Sequence, residues 1–239
     1  MSAKHSGRWV YWCIAILLLP FAVAVTHTII ALVAGFGTDP RWGLPPAAWA
    51  MCGGALLWLL IFTTMPRPMR TYVFAHEMTH VLWAWLSGAR VSNIKVGAGS
   101  GSVNVSHSNV IITLAPYFFP LYTILCMATY GILSIWFELR PYYLVWLAMI
   151  GFTWSFHLIF TIASLLHHQS DIDEYGWFFS YVLIYLFNLA GITIWLTVVG
   201  PLTFRQVFVI FAAHTWEVWR WCGLTTCHWG YLVYNKLQG

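Results

Sequence analysis

Charge is scarce in this chain. Only 8% of its 239 residues are Asp, Glu, Lys or Arg, and a net charge of +4 is spread thinly along the sequence. No basic tract gathers enough cations to meet a row of phosphates, which excludes nucleic acid as the partner. So few charges beside 60% hydrophobic residues also exclude an ordinary soluble domain and point to a polytopic membrane protein. A disulfide framework is missing as well. Cys13, Cys52, Cys126, Cys222 and Cys227 form an odd set, three of them inside apolar runs. Cys222, Cys227 and His228 lack the C-x-x-C spacing of a zinc clip and read as part of a Trp-rich amphipathic tail.

Apolar runs of spanning length are abundant. They lie at about 10–34, 47–65, 71–87, 110–136, 142–166 and 176–200, predicting an all-α polytopic protein with about six transmembrane helices in a single membrane domain, 1–239. Sixteen Trp and twelve Tyr suit the interfacial belts of a lipid bilayer. Lys4, His5 and Arg8 precede the first run, the mark of a cytoplasmic N-terminus. Alternate loops then put Lys4, Arg8, Arg67, Arg70, Arg140 and Arg205 inside and Arg41, Arg90 and Lys95 outside, which agrees with that orientation. Ala22-Val23-Ala24 looks like a signal-peptidase site, but the apolar run continues to about Ala34, so a retained anchor is expected. The compactness of the chain favours a bacterial inner membrane.

Within the third run stands His76-Glu77-Met78-Thr79-His80, an H-E-x-x-H pattern that random placement gives on the order of once in a hundred such chains. On a helix the two histidines are one turn apart on one face, so both imidazoles reach a single tetrahedral zinc ion. Glu77 lies beside them as a general base for water. An ionisable Glu inside a membrane-length apolar helix is costly and is by default functional. The alternative is a pair of bundle-interior histidines bonded to backbone, with Glu77 paired to one of them. The helix is expected to run from Thr71 to Ser87-Gly88, placing the metal roughly 10 Å below the outer surface.

Three later stretches bear on this site. Residues 91–107 alternate like strands, with Ile94, Val96 and Ala98 on one arm, Val103 and Val105 on the other, and Gly99-Ser100-Gly101-Ser102 as the turn of a β-hairpin. No Lys-Ser/Thr pair or following helix supports a phosphate loop there. An exposed edge of such a hairpin could hold a substrate in extended form by strand addition. The fourth run carries Pro116 and Pro120, which kink or break it unless neighbours take up the freed carbonyls. The fifth carries His157 and ends in His167-His168-Gln169-Ser170-Asp171-Ile172-Asp173-Glu174, with three of the seven acidic residues.

A catalytic zinc needs a third protein ligand and an open position. Asp171, Asp173 and His157 are the main candidates, with Glu174, His167 and His168 behind them. At this point residues 70–180 resemble the site-2 protease family of intramembrane zinc metalloproteases. The likeness lies in the apolar helix with His76, Glu77 and His80, the glycine-containing hairpin after it, the Ala115-Pro116 opening of a later helix, and an Asp near a helix start. In that family two His and the Asp bind Zn2+, the Glu activates water, and a transmembrane protein or membrane-adjacent peptide is cut. The resemblance assigns the Asp role to Asp171. The chain departs from the family in having Ser170-Asp171-Ile172 for the usual Leu-Asp-Gly, with its Gly at 176, and two intervening helices for the usual one.

The resulting expectation is a zinc metalloendopeptidase, with metal ligands His76, His80 and Asp171 and catalytic Glu77. The alternative is a metal-ion or proton-coupled transporter using the same cluster, which calls for an internal repeat that this chain lacks. A di-iron oxygenase would need several His boxes. Residues 204–239, with Trp216, Trp219, Trp221 and Arg220, are expected to form an amphipathic helix at the membrane interface.

Overall fold

The computed structural model describes residues 8–38 and 45–238. Lys4, His5 and the Asp39-Pro40-Arg41 segment lie outside them. Among the described residues, nine α-helices and one two-stranded sheet follow in order: α1 Arg8–Thr38, α2 Pro46–Thr64, α3 Met69–Leu86, β1 Val91–Val96, β2 Gly101–Val105, α4 Val110–Leu114, α5 Leu121–Leu133, α6 Tyr143–Leu165, α7 Ser170–Tyr175, α8 Trp177–Val199 and α9 Phe204–Gln238.

Among the described residues, four helical stretches are long and apolar enough to cross a membrane: Arg8–Gly35, Pro46–Thr64, Arg140–Leu165 and Trp177–Val199. Their outward faces carry bare apolar side chains such as Leu17, Leu56, Leu60 and Val145, as lipid contact requires. The expected count of six is not reached, for two physical reasons. Helix α3 carries Arg70, His76, Glu77 and His80 and is too polar to qualify. The 110–136 run is not one straight helix, because Val110–Tyr117 and Leu121–Leu133 meet at 86° across Phe118–Pro120, and counting that bent pair as one span brings the number to five.

The chain divides into two compact units. In Leu44–Ser180, α2 and α6 pack backbone to backbone. A Cβ on Gly54 would overlap the Ala148 carbonyl, and one on Gly151 would overlap that of Met51. Lipid is as apolar as any side chain, so such close backbone approach is what holds two membrane helices together. Trp58 of α2, Tyr72 and Val73 of α3, and Phe156 and Phe160 of α6 form the adjoining core. Tyr72 stacks on Phe160 with ring centroids 4.7 Å apart. That layer fixes α3 against α6, and α3 is the element that carries the two histidines.

The other unit, Met1–Gly43 with Tyr181–Gly239, joins α1, most of α8 and α9. Thr28 Oγ1 lies 3.1 Å from His214 Nδ1, and Thr26 Oγ1 lies 2.9 Å from the Tyr185 hydroxyl. Helix α9 opens with a capping box: Gln206 Oε1 accepts from Thr203 N at 2.9 Å, and Thr203 Oγ1 accepts from Gln206 N at 3.3 Å. It then runs 35 residues with Trp216, Trp221 and Trp229 exposed.

The hairpin differs from the sequence reading in its turn. The strands pair antiparallel with Val91 opposite Val105 and Val96 opposite Gly101, and Gly97 N donates to Ser100 O at 2.8 Å. The turn is therefore 97–100, and Gly101 and Ser102 belong to β2. A bulge between Ser92 and Lys95, with Asn93 at φ 51°, breaks the expected alternation.

Candidate metal centre

Helix α3 begins just after Pro68, which has no N–H to leave unpaired, and ends in a Schellman motif. Gly88 sits at φ +75°, Ala89 N donates to Ala84 O at 2.8 Å and Gly88 N to Trp85 O at 3.0 Å. Ala84 and Ala89 then pack on Ile112. The end of α3 is thus tied to the first turns of α4, and this brings the Ile112 carbonyl to His80.

That carbonyl is free to receive a side chain because its helical partner would be the N–H of residue 116, which is proline. His80 Nδ1 donates to it at 2.8 Å. The bond fixes the His80 tautomer and turns the Nε2 lone pair toward His76 and Asp171. The imidazoles of His76 and His80 lie 4.9 Å apart between ring centres.

Asp171 enters from the first turn of α7. Its Oδ2 is 3.4 Å from His76 Nε2 and 3.5 Å from His80 Nε2. Charge-assisted hydrogen bonds close to about 2.7–2.9 Å, and the His168–Asp173 pair in this same chain does so at 2.7 Å. The longer spacing at Asp171 matches a different requirement. Around a tetrahedral zinc with bonds of about 2.0–2.1 Å, neighbouring donor atoms stand about 3.3–3.4 Å apart. Among the described residues, His76, His80 and Asp171 are the group whose donor atoms could share one metal ion, all lying within 4.8 Å of one another. Two imidazole nitrogens and a carboxylate oxygen are a donor set that suits zinc.

The surroundings hold the carboxylate in place. Tyr117, fully buried at the end of a short 3₁₀ turn Ala115–Tyr117, donates its hydroxyl to Asp171 Oδ2 at 3.1 Å and sets its ring edge-on to His76. Ser180 Oγ donates to Ile172 O, and Thr113 Oγ1 donates to Glu174 Oε2, so α7 is tethered on both sides. Burial pushes the Asp171 carboxyl up, but the two imidazoles beside it outweigh burial and hold it below the usual carboxylate range.

Glu77 is buried at 6% exposure under the hairpin. A Cβ at Gly101 would sit 2.5 Å from Glu77 Oε1, so only glycine lets β2 come this close. His76, Glu77, His80 and Asp171 all open onto one cleft of about 730 Å³, which β2 also lines.

Of the other candidates, Asp173 is paired with His168, Glu174 with Thr113, and His157 lies behind α3 in α6, outside the ligand group. The remaining histidines and the Cys222, Cys227 and His228 segment form no comparable group among the described residues. Tyr117 and the Ile112 carbonyl escaped the sequence reading. Their signals were a polar-tipped aromatic between two prolines and the carbonyl four residues before Pro116. Comparison with protein-family models, curated proteins and solved structures gives no match to this chain.

Proposed function

We propose that the protein is an intramembrane zinc metalloendopeptidase of the site-2 protease type, hydrolysing a peptide bond in or near a transmembrane segment of another membrane protein. The observation that carries this reading is the set of two Nε2–Oδ2 separations of 3.4 and 3.5 Å at Asp171, beside a glutamate one residue along the helix from His76. His76, His80 and Asp171 are the proposed ligands of Zn2+. When bound, the metal supplies Lewis acidity toward a carbonyl oxygen and lowers the pKa of water.

The chain's own groups do the rest. Glu77 takes the proton of the attacking water and returns it to the leaving amine nitrogen, so that the hydroxyl ends on the acyl carbon. Tyr117, bonded to Asp171, and His80, bonded to the Ile112 carbonyl, keep the site in a single geometry before substrate arrives. The cleft beside β2 suits a segment held in extended form, as peptide hydrolysis requires of a chain that begins as a helix. The distribution of Lys and Arg supports a multi-pass topology with a cytoplasmic N-terminus, and a bacterial inner membrane is the proposed location.

The test is zinc content and cleavage of a transmembrane reporter by the detergent-purified chain. About one zinc per chain, lost in His80→Ala and in Asp171→Ala, with cleavage abolished in both, is the expected result. A native protein that carries no zinc after gentle extraction overturns the reading and favours transport.

A further inference from the structure

Metal-bound imidazoles almost always donate their second ring N–H to a carbonyl, a carboxylate or a water, which fixes the ring's tautomer and aim. His80 has that partner in Ile112 O. His76 has none in the protein: with Nε2 toward Asp171, its Nδ1 is buried without a hydrogen-bond partner among the described residues. A second buried ring nitrogen in the same condition is Nε2 of His157 on α6.

Both histidines line one small cavity between α3, α6 and the bend before α5. Its volume of about 10 Å³ is close to the room a single water needs. Three hydroxyls on its wall are already engaged, Thr79 Oγ1 donating to Ala75 O, Thr153 Oγ1 to Met149 O and the Tyr122 hydroxyl to Thr71 O, and Tyr72, which also lines it, has its hydroxyl buried without a hydrogen-bond partner among the described residues. The two unpaired nitrogens are complementary. With Nε2 turned to the metal, His76 carries its hydrogen on Nδ1 and needs an acceptor, while a neutral His157 with Nδ1 protonated offers Nε2 as one. A water satisfies both at once.

We infer that one water fills this cavity, accepting from His76 Nδ1–H and donating to His157 Nε2, so that His157 is a positioning residue for the metal ligand His76. The inference rests on the metal-centre reading proposed above. It accounts for a histidine in the middle of an otherwise apolar helix, where an unpaired ring nitrogen is otherwise a cost without return.

The experiment measures zinc affinity of the full chain in detergent by chelator competition, together with the absorption spectrum of its cobalt-substituted form. The proteins are wild type, His157→Leu, His157→Gln, His157→Asn and His80→Ala. His157→Leu is expected to bind zinc about 10- to 100-fold more weakly with altered cobalt bands, as loss of an outer hydrogen bond does. His157→Gln, whose amide can still meet the water, should stay within a few-fold of wild type, and the shorter Asn should fall between them. Equal zinc affinity in the folded Leu variant and wild type overturns the inference. Should the Leu variant not fold, Asn and Gln binding zinc alike overturns it. Zinc held by wild type but indifferent to residue 157 removes the bridge alone. A wild type without zinc, or a His80→Ala that binds as tightly, removes the metal centre itself and the bridge with it.

Discussion

His80 Nδ1 donates to the Ile112 carbonyl at 2.8 Å, and Ile112 is four residues before Pro116. A proline that breaks a membrane helix would ordinarily leave that oxygen unpaired in a medium without water. Here the break in α4 and the orientation of an imidazole in α3 solve each other's problem. Neither element has its bonds complete alone.

Restoring the missing N–H should therefore undo both. Pro116→Ala gives Ile112 O a donor within its own helix, in competition with His80. Zinc affinity is expected to fall by roughly tenfold, the size typical of a lost outer-shell bond, while the helical content stays. Chelator titration read beside circular dichroism checks this, and unchanged affinity would show that the carbonyl plays no part.

Glu77→Gln separates chemistry from binding. The amide cannot accept a proton, so cleavage of a transmembrane reporter should drop by about 10²- to 10⁴-fold with zinc content unaltered. Loss of zinc together with activity would instead make Glu77 a ligand.

Gly101 predicts a different separation. Gly101→Val drives a branched side chain into Glu77 Oε1, so either β2 lifts away or Glu77 moves. Cleavage should be lost with zinc retained, since His76, His80 and Asp171 lie on other elements. A fully active Val variant would show that the hairpin is loosely placed over the glutamate.

Tyr117→Phe removes the hydroxyl that donates to Asp171 Oδ2 but keeps the ring against His76. A bond to a charged acceptor contributes about 1.5–3 kcal/mol. Once the metal itself holds the carboxylate, only part of that is lost. A several-fold rise in the zinc dissociation constant is expected, measured against the wild type in the same buffer.

Stability is tested away from the site by Gly151→Leu, which sets a side chain where the Met51 carbonyl of α2 lies. Overpacking of this kind costs about 1–3 kcal/mol, and more where backbone must separate. The thermal midpoint in detergent should fall clearly, whereas the same change at Gly131, with open space around its Cβ position, should leave it nearly unmoved.

Some of this was legible because it is local. One helical turn sets His76 and His80 on one face wherever the helix goes, and Gly88 ends that helix by its own backbone freedom. Prolines 116 and 120 announced a break, and the structure bends there by 86°. The hairpin was visible as alternation, but its turn lies two residues earlier than the Gly-Ser run suggested, because Gly101 is needed in the strand that covers Glu77.

The sequence by itself determined an apolar chain of membrane-length helices, one of them carrying two imidazoles and a carboxylate in a fixed local order. Only the tertiary structure decided which distant group joins them. Asp171 and Asp173 are two residues apart on α7, about 200° around a helix, so when one faces the histidines of α3 the other must face away, here toward His168. That choice depends on how α7 is held by Ser180 and Thr113, and a bond such as the one from Thr113 to Glu174, across 61 residues of chain, leaves no trace in local periodicity.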